Sequence, residues 1–344
     1  MGLGRITGHA PIRRLIARAV ARDTLPPCLV LTGPDGVGKR RVALALAEML
    51  NCEAVNPPEA GGPAAFPDAC GVCGACQRIA RGVHADVIII EPGETGSIRV
   101  DAVRAAVDQA AFRPFEGRRR VVIIDDADRL VPEAQNALLK TLEEPPSASV
   151  FLLVTSRPHL LLATVRSRCP ELRFGGLLTD QIADILVTRH QFTPTTALAA
   201  AVSADGSVAR ALETGSDDHI QARDSAAALL QARAAAPSPN RRLETGKELG
   251  GARRGSRSSA AARETLIRRL RALGTLLRDL QVVSARGDRA WLANADLAAE
   301  LTELVQSYDT DRAGRGFASV QRAVSALTRN ASPKVVVDWL ALQI

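Results

Sequence analysis

LVLTGPDGVGK, residues 29–39, joins a short apolar run to a glycine-rich turn. Leu29, Val30 and Leu31 suit a buried strand, and Arg41 to Leu50, rich in Ala and Leu, suits the helix that follows. Between them, Gly33, Gly36 and Gly38 let backbone N–H groups curl around phosphate oxygens. The helix N-terminus adds positive potential there, and Lys39 is placed to reach the outer phosphates. The full form of this loop continues with Ser or Thr, whose hydroxyl ligates Mg²⁺; here the residue is Arg40. Without that hydroxyl, ATP with Mg²⁺ is expected to bind weakly and hydrolysis to suffer.

Working outward, apolar residues at Ile12, Leu15, Ile16 and Val20 have helical spacing over residues 11–22. Val87 to Ile90, Val121 to Ile124 and Val150 to Val154 are further short apolar runs, with helical patterns between them. This alternation over the first ~175 residues predicts a parallel sheet covered by helices on both faces. In VVIIDDADRL, residues 121–130, the strand ends at Asp125, a carboxylate that can hold magnesium through water. The next position commonly carries a Glu that polarises the attacking water. Asp126 stands there, one methylene shorter. Beyond Phe174 the strand signal ends and Ala/Leu-rich helical patterns dominate. Residues 237–260 (PSPNRRLETGKELGGARRGSRSSA) have the composition of a loop, with six basic and two acidic residues.

A chain of 344 residues, 46% hydrophobic and 24% charged, has room for two or three compact domains. No apolar run is long enough for a membrane span, and the N-terminus lacks the apolar core of a secretory signal, so a cytoplasmic location is expected. The net charge of +7 comes almost wholly from arginine, with only four lysines. Such a surface suits a polyanion, and it equally suits plain solvation. Direct DNA binding ranks below the other readings, because two Trp and one Tyr leave no aromatic-interleaved basic stripe.

Cys70, Cys73 and Cys76 form C-x-x-C-x-x-C, with Cys52 upstream. Four thiolates suit tetrahedral Zn²⁺, and one tight turn supplies three of them. A cytoplasmic setting disfavours disulfides. A redox C-x-x-C remains an alternative, and the third cysteine at the same spacing favours metal. Cys28 and His84 are expected to be structural.

AQNALLKTLEEPP (134–146) and FLLVTSRPHLLLATVRSRCPELRF (151–174), with its Ser167-Arg168-Cys169 triplet, resemble bacterial clamp-loader AAA+ subunits of DNA polymerase III. The resemblance is strong over residues 1–175 and weak beyond. It implies an AAA+ P-loop domain over 1–175 with a zinc insert at about 50–80. A helical lid over 176–215 and an all-α collar over 216–344, with the flexible loop 237–260, complete the expected fold. The implied function is helping to open a ring-shaped sliding clamp and place it on primed DNA. The implied partners are gamma/tau and delta subunits in a hetero-pentamer, the clamp, and primed DNA through the complex, with no membrane.

In that family the triplet's arginine reaches a neighbour's ATP, which assigns Arg168 as an arginine finger in trans. A permanently charged guanidinium forks onto phosphate oxygens and suits that role. Thr155 matches the family's first γ-phosphate sensor, with Ser156 beside it. The family's second sensor arginine lies in G-S-x-R. Here Gly206-Ser207-Val208-Ala209-Arg210 has Ala209 where that arginine would be. Arg40 and Ala209 remove parts that hydrolysis uses, while Arg168 stays. The combination resembles the delta-prime type, a stator in the polymerase III holoenzyme with weak or absent ATPase of its own. The alternative is the gamma/tau-type motor. Val320 to Leu342 resembles the family's last collar helices, with a break at Pro333.

Overall fold

The computed structural model describes residues 2–55, 68–93, 95–214, 216–234, 259–329 and 331–344. Most of the expected loop 237–260, and residues 56–67 of the expected zinc insert, lie outside these. The chain divides into two compact units, Met1–Gln181 with Gly206–Val208, and Ile182–Asp205 with Ala209–Ile344. Among the described residues no helix is long and apolar enough to cross a membrane.

The first unit is built on five parallel strands: β1 (Cys28–Thr32), β2 (Val87–Ile90), β3 (Arg120–Ile124), β4 (Ser149–Thr155) and β5 (Glu171–Arg173). Their spatial order is β2-β3-β4-β1-β5. Alternate residues feed two cores. Leu29, Leu31, Val121, Ile123, Leu152 and Val154 enter one face. Cys28, Val30, Val122, Ile124, Phe151 and Leu153 enter the other. Burial on both faces is why these strands read as unbroken apolar runs. Helices α1 (Ala10–Ala21) and α2 (Lys39–Asn51) contribute to the first core. The helices α4 (Val100–Ala110) and α5 (Pro132–Glu143) contribute to the second, while the short α3 (Gly74–Ala80) follows the cysteine turn. The strand β5 adds to the four that the sequence predicts. It is three residues long at the sheet edge, with exposed Glu171 and Arg173 flanking Leu172, too short to show a period.

The order places β1 between β4 and β5, so the chain leaving β1 crosses β4 and β3 to reach β2. Ligands of open parallel sheets sit at such switch points, beyond the carboxyl ends of the strands. The carboxyl ends here carry Gly33, Glu91, Asp125 and Thr155, after or at the ends of β1, β2, β3 and β4. The short α6 (Ala163–Arg166) precedes the Ser167-Arg168-Cys169 triplet and β5.

The second unit has helices and no strand among its described residues. It contains most of α7 (Thr179–His190) and α9 (Val208–Glu213), all of α8 (Pro194–Ser203), and α10 (Asp217–Ala234), α11 (Ser259–Ser284), α12 (Ala298–Leu304), α13 (Thr310–Thr328) and α14 (Pro333–Gln343). On α11, Leu266, Leu270, Leu273, Leu277 and Leu280 recur every three or four residues and form one buried stripe. Val320, Ala323 and Leu327 of α13 and Leu340 of α14 share that core. The buried Arg233 guanidinium donates to the Ala341 and Ile344 carbonyls at 2.7 and 2.6 Å. A cation there satisfies carbonyls that a helix end leaves unpaired. Pro333 opens α14 after α13 ends at Thr328, the break that the sequence predicts.

Candidate nucleotide pocket and cysteine cluster

The loop after β1 depends on its glycines. Gly33 has φ +139°, and a Cβ there would stand 2.2 Å from the Phe174 carbonyl oxygen, so no side chain fits. Gly38, at φ +102°, has open space and serves the backbone turn alone. The Gly36 carbonyl accepts from the Val208 N–H at 3.0 Å, which ties the loop to the Gly206-Ser207-Val208 segment. His9, itself at φ +49°, sets Nε2 2.9 Å from the Val37 carbonyl and meets the Phe174 ring edge-on at 4.9 Å. His9 is thus a loop support that the sequence reading did not single out; its only local mark is a Gly-His pair before a helix.

Lys39 is 6% exposed, and its ammonium donates to the Gly33 and Pro34 carbonyls, each at 2.7 Å. Burial pulls its pKa down, against Asp35, Asp126, Asp125 and Asp128, which pull it up. Arg40 points to the acidic strand ends. Its Nη1 donates to Asp125 Oδ2 at 3.1 Å and its Nη2 pairs with Glu91. Glu91 and Asp125 are neighbours because β2 and β3 run in register, Ile90 beside Ile124. Glu91 had no signal in the sequence, since only this register brings it to the site. Asp126 is exposed at φ +47° and starts the turn after β3.

Thr155 is fully buried. Its hydroxyl donates to Asp128 Oδ1 at 2.6 Å and accepts from the Arg157 N–H at 3.0 Å. Asp128 Oδ2 in turn accepts from Arg157 Nε at 2.8 Å and pairs with its Nη2. Asp128 and Arg157 therefore join Thr155 in one network that the sequence reading left unassigned.

Arg168 stands outside this pocket's bonded groups. Its Nη1 donates to the Thr164 carbonyl at 2.9 Å and its Nη2 pairs with Glu143, both partners being exposed. Its neighbour Cys169 is buried and hydrogen-bonded to Cys28; that contact and burial push the Cys169 thiol up. Cys28 is a packed core thiol, as expected. In the second unit, Arg210, next to Ala209, pairs with Asp205 at 3.2 Å.

The basic run before β3 is occupied with structure. The Arg118 and Arg119 N–H groups donate to the Asn51 carboxamide oxygen at 2.9 and 3.0 Å, and the Arg118 guanidinium caps the Cys52 carbonyl. Arg119 pairs with Asp23 at 3.0 Å. Arg120 pairs at 2.8 Å with Asp86, whose carboxylate is fully buried. Asp86 also accepts from the N–H groups of Phe115, Glu116 and Gly117 at 2.7–2.8 Å. Burial works against its charge, and these four donors outweigh it, holding the carboxyl down at about 2. The buried His84 accepts from the Asp86 N–H through Nδ1 at 3.1 Å, a structural role.

Cys52, at the end of α2, meets Cys70, Cys73 and Cys76 so that all four sulfurs lie within 4.8 Å of one another. Sulfurs bound to tetrahedral zinc at ~2.3 Å stand ~3.8 Å apart, and Cys52 and Cys73 are 4.0 Å apart here. The Cys70 N–H donates to Cys52 Sγ, and the Val72 and Cys73 N–H groups to Cys70 Sγ, at 3.3–3.4 Å. Such bonds steady thiolates and leave the donor set fit for a zinc ion.

The glycine loop, the acidic strand ends and the β2-β3-β4-β1-β5 sheet define a P-loop protein of the AAA+ class. Residues 8–177 match the sequence family described as DNA polymerase III, delta subunit. The delta-prime subunit of Pseudomonas aeruginosa is 43% identical over 141 residues, 41% of this chain and 40% of that protein. The tau subunit of Escherichia coli is 34% identical over 186 residues, 54% of this chain and 26% of that protein. The match thus spans well under two thirds of these relatives' length. A gamma subunit-related protein of Thermotoga maritima superposes over 97% of both chains with a TM-score of 0.42 and 17% identity. Over residues 8–177 the chain is related to the delta-prime and gamma/tau subunits of DNA polymerase III.

Proposed function

We propose that this chain is a delta-prime-type stator of the DNA polymerase III clamp loader. In this role it helps to load the sliding clamp onto primed DNA beside gamma/tau and delta subunits and donates Arg168 to ATP held by a neighbour. The observation that supports this most is a contrast between two arginines. Arg40, though exposed, is held by two carboxylates of the chain's own pocket, Asp125 and Glu91, while Arg168 is tethered by one exposed glutamate, the Thr164 carbonyl and the exposed Ser167 hydroxyl. An exposed ion pair is worth about 0–1 kcal/mol, so a neighbour's polyphosphate can take Arg168 from Glu143 at little cost. Residues 176–215 serve as lid and 216–344 as collar, the leucine stripe of α11 holding the collar helices together. The four cysteines hold a structural zinc that fixes the turn between α2 and α3.

The test is reconstitution with gamma/tau and delta subunits. Arg168→Ala is expected to leave the assembly's size unchanged and to abolish DNA-stimulated ATP hydrolysis at the neighbouring site. Full turnover in that complex sinks the finger role. The similarity to tau subunits supports a motor reading as the second choice, since Lys39 and Asp125 are in place. Under it the purified chain alone hydrolyses ATP, and Arg40→Ala abolishes or leaves that activity without touching Arg168's effect.

A further inference from the structure

The position after Lys39 is where the full P-loop motif offers a hydroxyl to Mg²⁺. Arg40 offers no ligand oxygen. Its guanidinium instead lies across Asp125, the carboxylate that would face the metal, and across Glu91 at the end of the next strand. A divalent ion placed between these carboxylates and a bound phosphate meets a fixed like charge, and Asp125 already has a cation. The residues present do not fit magnesium. They do fit a phosphate. The glycine turn keeps its positive φ angles, Lys39 stands at its base on two carbonyls that a phosphate oxygen can replace, and the start of α2 lies behind it.

We propose that Arg40 is a built-in replacement for the divalent cation. The pocket takes the polyphosphate of a nucleotide as a metal-free anion, with Lys39 and the loop N–H groups on the phosphates. Arg40 bridges Asp125 to the phosphate side and releases Glu91 as it does so. Asp125 and Glu91, two carboxylates at adjacent strand ends, are a cation site whose occupant is supplied by the chain. Removing Arg40 uncovers both. This deepens the P-loop reading and is independent of the Arg168 role, which needs a neighbour.

The test uses the isolated full-length chain with fluorescent ATP and ADP, each in excess Mg²⁺ or in EDTA. Wild type is expected to bind at least about tenfold more tightly in EDTA, because excess Mg²⁺ converts the nucleotide into a metal complex that the pocket does not take. Arg40→Ser restores the hydroxyl and frees the carboxylates. It is expected to lose about tenfold in EDTA and to gain at least tenfold on adding Mg²⁺. Mn²⁺ in place of Mg²⁺ supplies a second readout, as water-proton relaxation should report a protein-bound Mn²⁺–nucleotide complex in Arg40→Ser and none in wild type. Wild-type binding that is as tight or tighter with Mg²⁺ overturns the proposal, as does no binding in either buffer. So does an Arg40→Ser protein, folded by circular dichroism, that gains no metal dependence. Should Arg40→Ser fail to fold, the wild-type pair of titrations still decides. Neither experiment contains a neighbouring subunit, so failure here leaves the Arg168 test standing, and the reverse holds too.

Discussion

Asp86 offers the sharpest quantitative prediction, because its surroundings are complete. The carboxylate is fully buried and accepts from the N–H groups of Phe115, Glu116 and Gly117 and from Arg120. Asp86→Asn keeps the shape, sets an NH₂ group against donors, and strips Arg120 of its counter-charge. Removing one member of a buried ion pair costs about 3–5 kcal/mol. The pH dependence follows from linkage. The carboxyl is held at about 2, from an ordinary 3.8. Its charge therefore contributes stability that is complete above pH 3.8 and is lost as pH falls towards 2. That lowering corresponds to about 2–3 kcal/mol in all. About 1 kcal/mol of that is gone by pH 3 and about 2 by pH 2. The assay is hydrogen exchange, read by mass spectrometry on peptides covering residues 111–124, corrected for intrinsic rates, at pH 7, 5, 4 and 3. Wild type should open more readily as pH drops, and Asp86→Asn should start weaker and change less. A gap between the two that is the same at pH 7 and pH 3, or smaller than about 0.5 kcal/mol at pH 7, refutes the reasoning.

Gly33→Val should cost about 2–4 kcal/mol, from a left-handed φ and a Cβ driven into the Phe174 carbonyl, read as a lowered melting temperature of the first unit; unchanged melting would mean the loop is not built this way. Cys76→Ser should reduce bound zinc from about one ion per chain to near zero by elemental analysis, and chelation of wild type should unfold the segment around α3 while leaving the second unit's helicity intact. Arg168→Ala should change the isolated chain's stability by less than about 1 kcal/mol while lowering hydrolysis at the one neighbouring site on the order of a thousandfold, and Arg168→Lys should restore little of it.

The sheet was legible because each central strand is buried on both faces, which turns a period of two into a plain apolar run. The strand β5 was not, since three edge residues between two exposed charges carry no such run. The glycines and Lys39 were legible as a local motif, and the cysteines by their spacing. What the sequence hid was every partner brought in from a distance. Glu91 reaches Arg40 only through the β2–β3 register. Asp86 collects N–H groups from about thirty residues further on. Thr155 was placed correctly at a strand end, yet its hydroxyl is engaged by Asp128, a residue whose burial depends on Arg157 lying over it.

These partners also decide which arginine is free to act on another molecule. Arg157 lies two residues beyond β4 and close in sequence to the sensor position, so it competes with Arg168 as a trans-acting cation. Its counter-ion Asp128 is almost wholly buried, with 2% of the side chain exposed, and Thr155 is tied to the same carboxylate. Withdrawing Arg157 would leave a buried charge unpaired, at about 3–5 kcal/mol, more than an exposed pair returns. Arg120 is fixed by the same logic on Asp86. Arg40 is more exposed, but it faces two carboxylates at once. Arg168 alone among these four combines exposure with partners that are themselves exposed, so its transfer leaves Glu143 hydrated rather than stranded. This asymmetry supports the proposed role of Arg168 without reference to the triplet in which it sits.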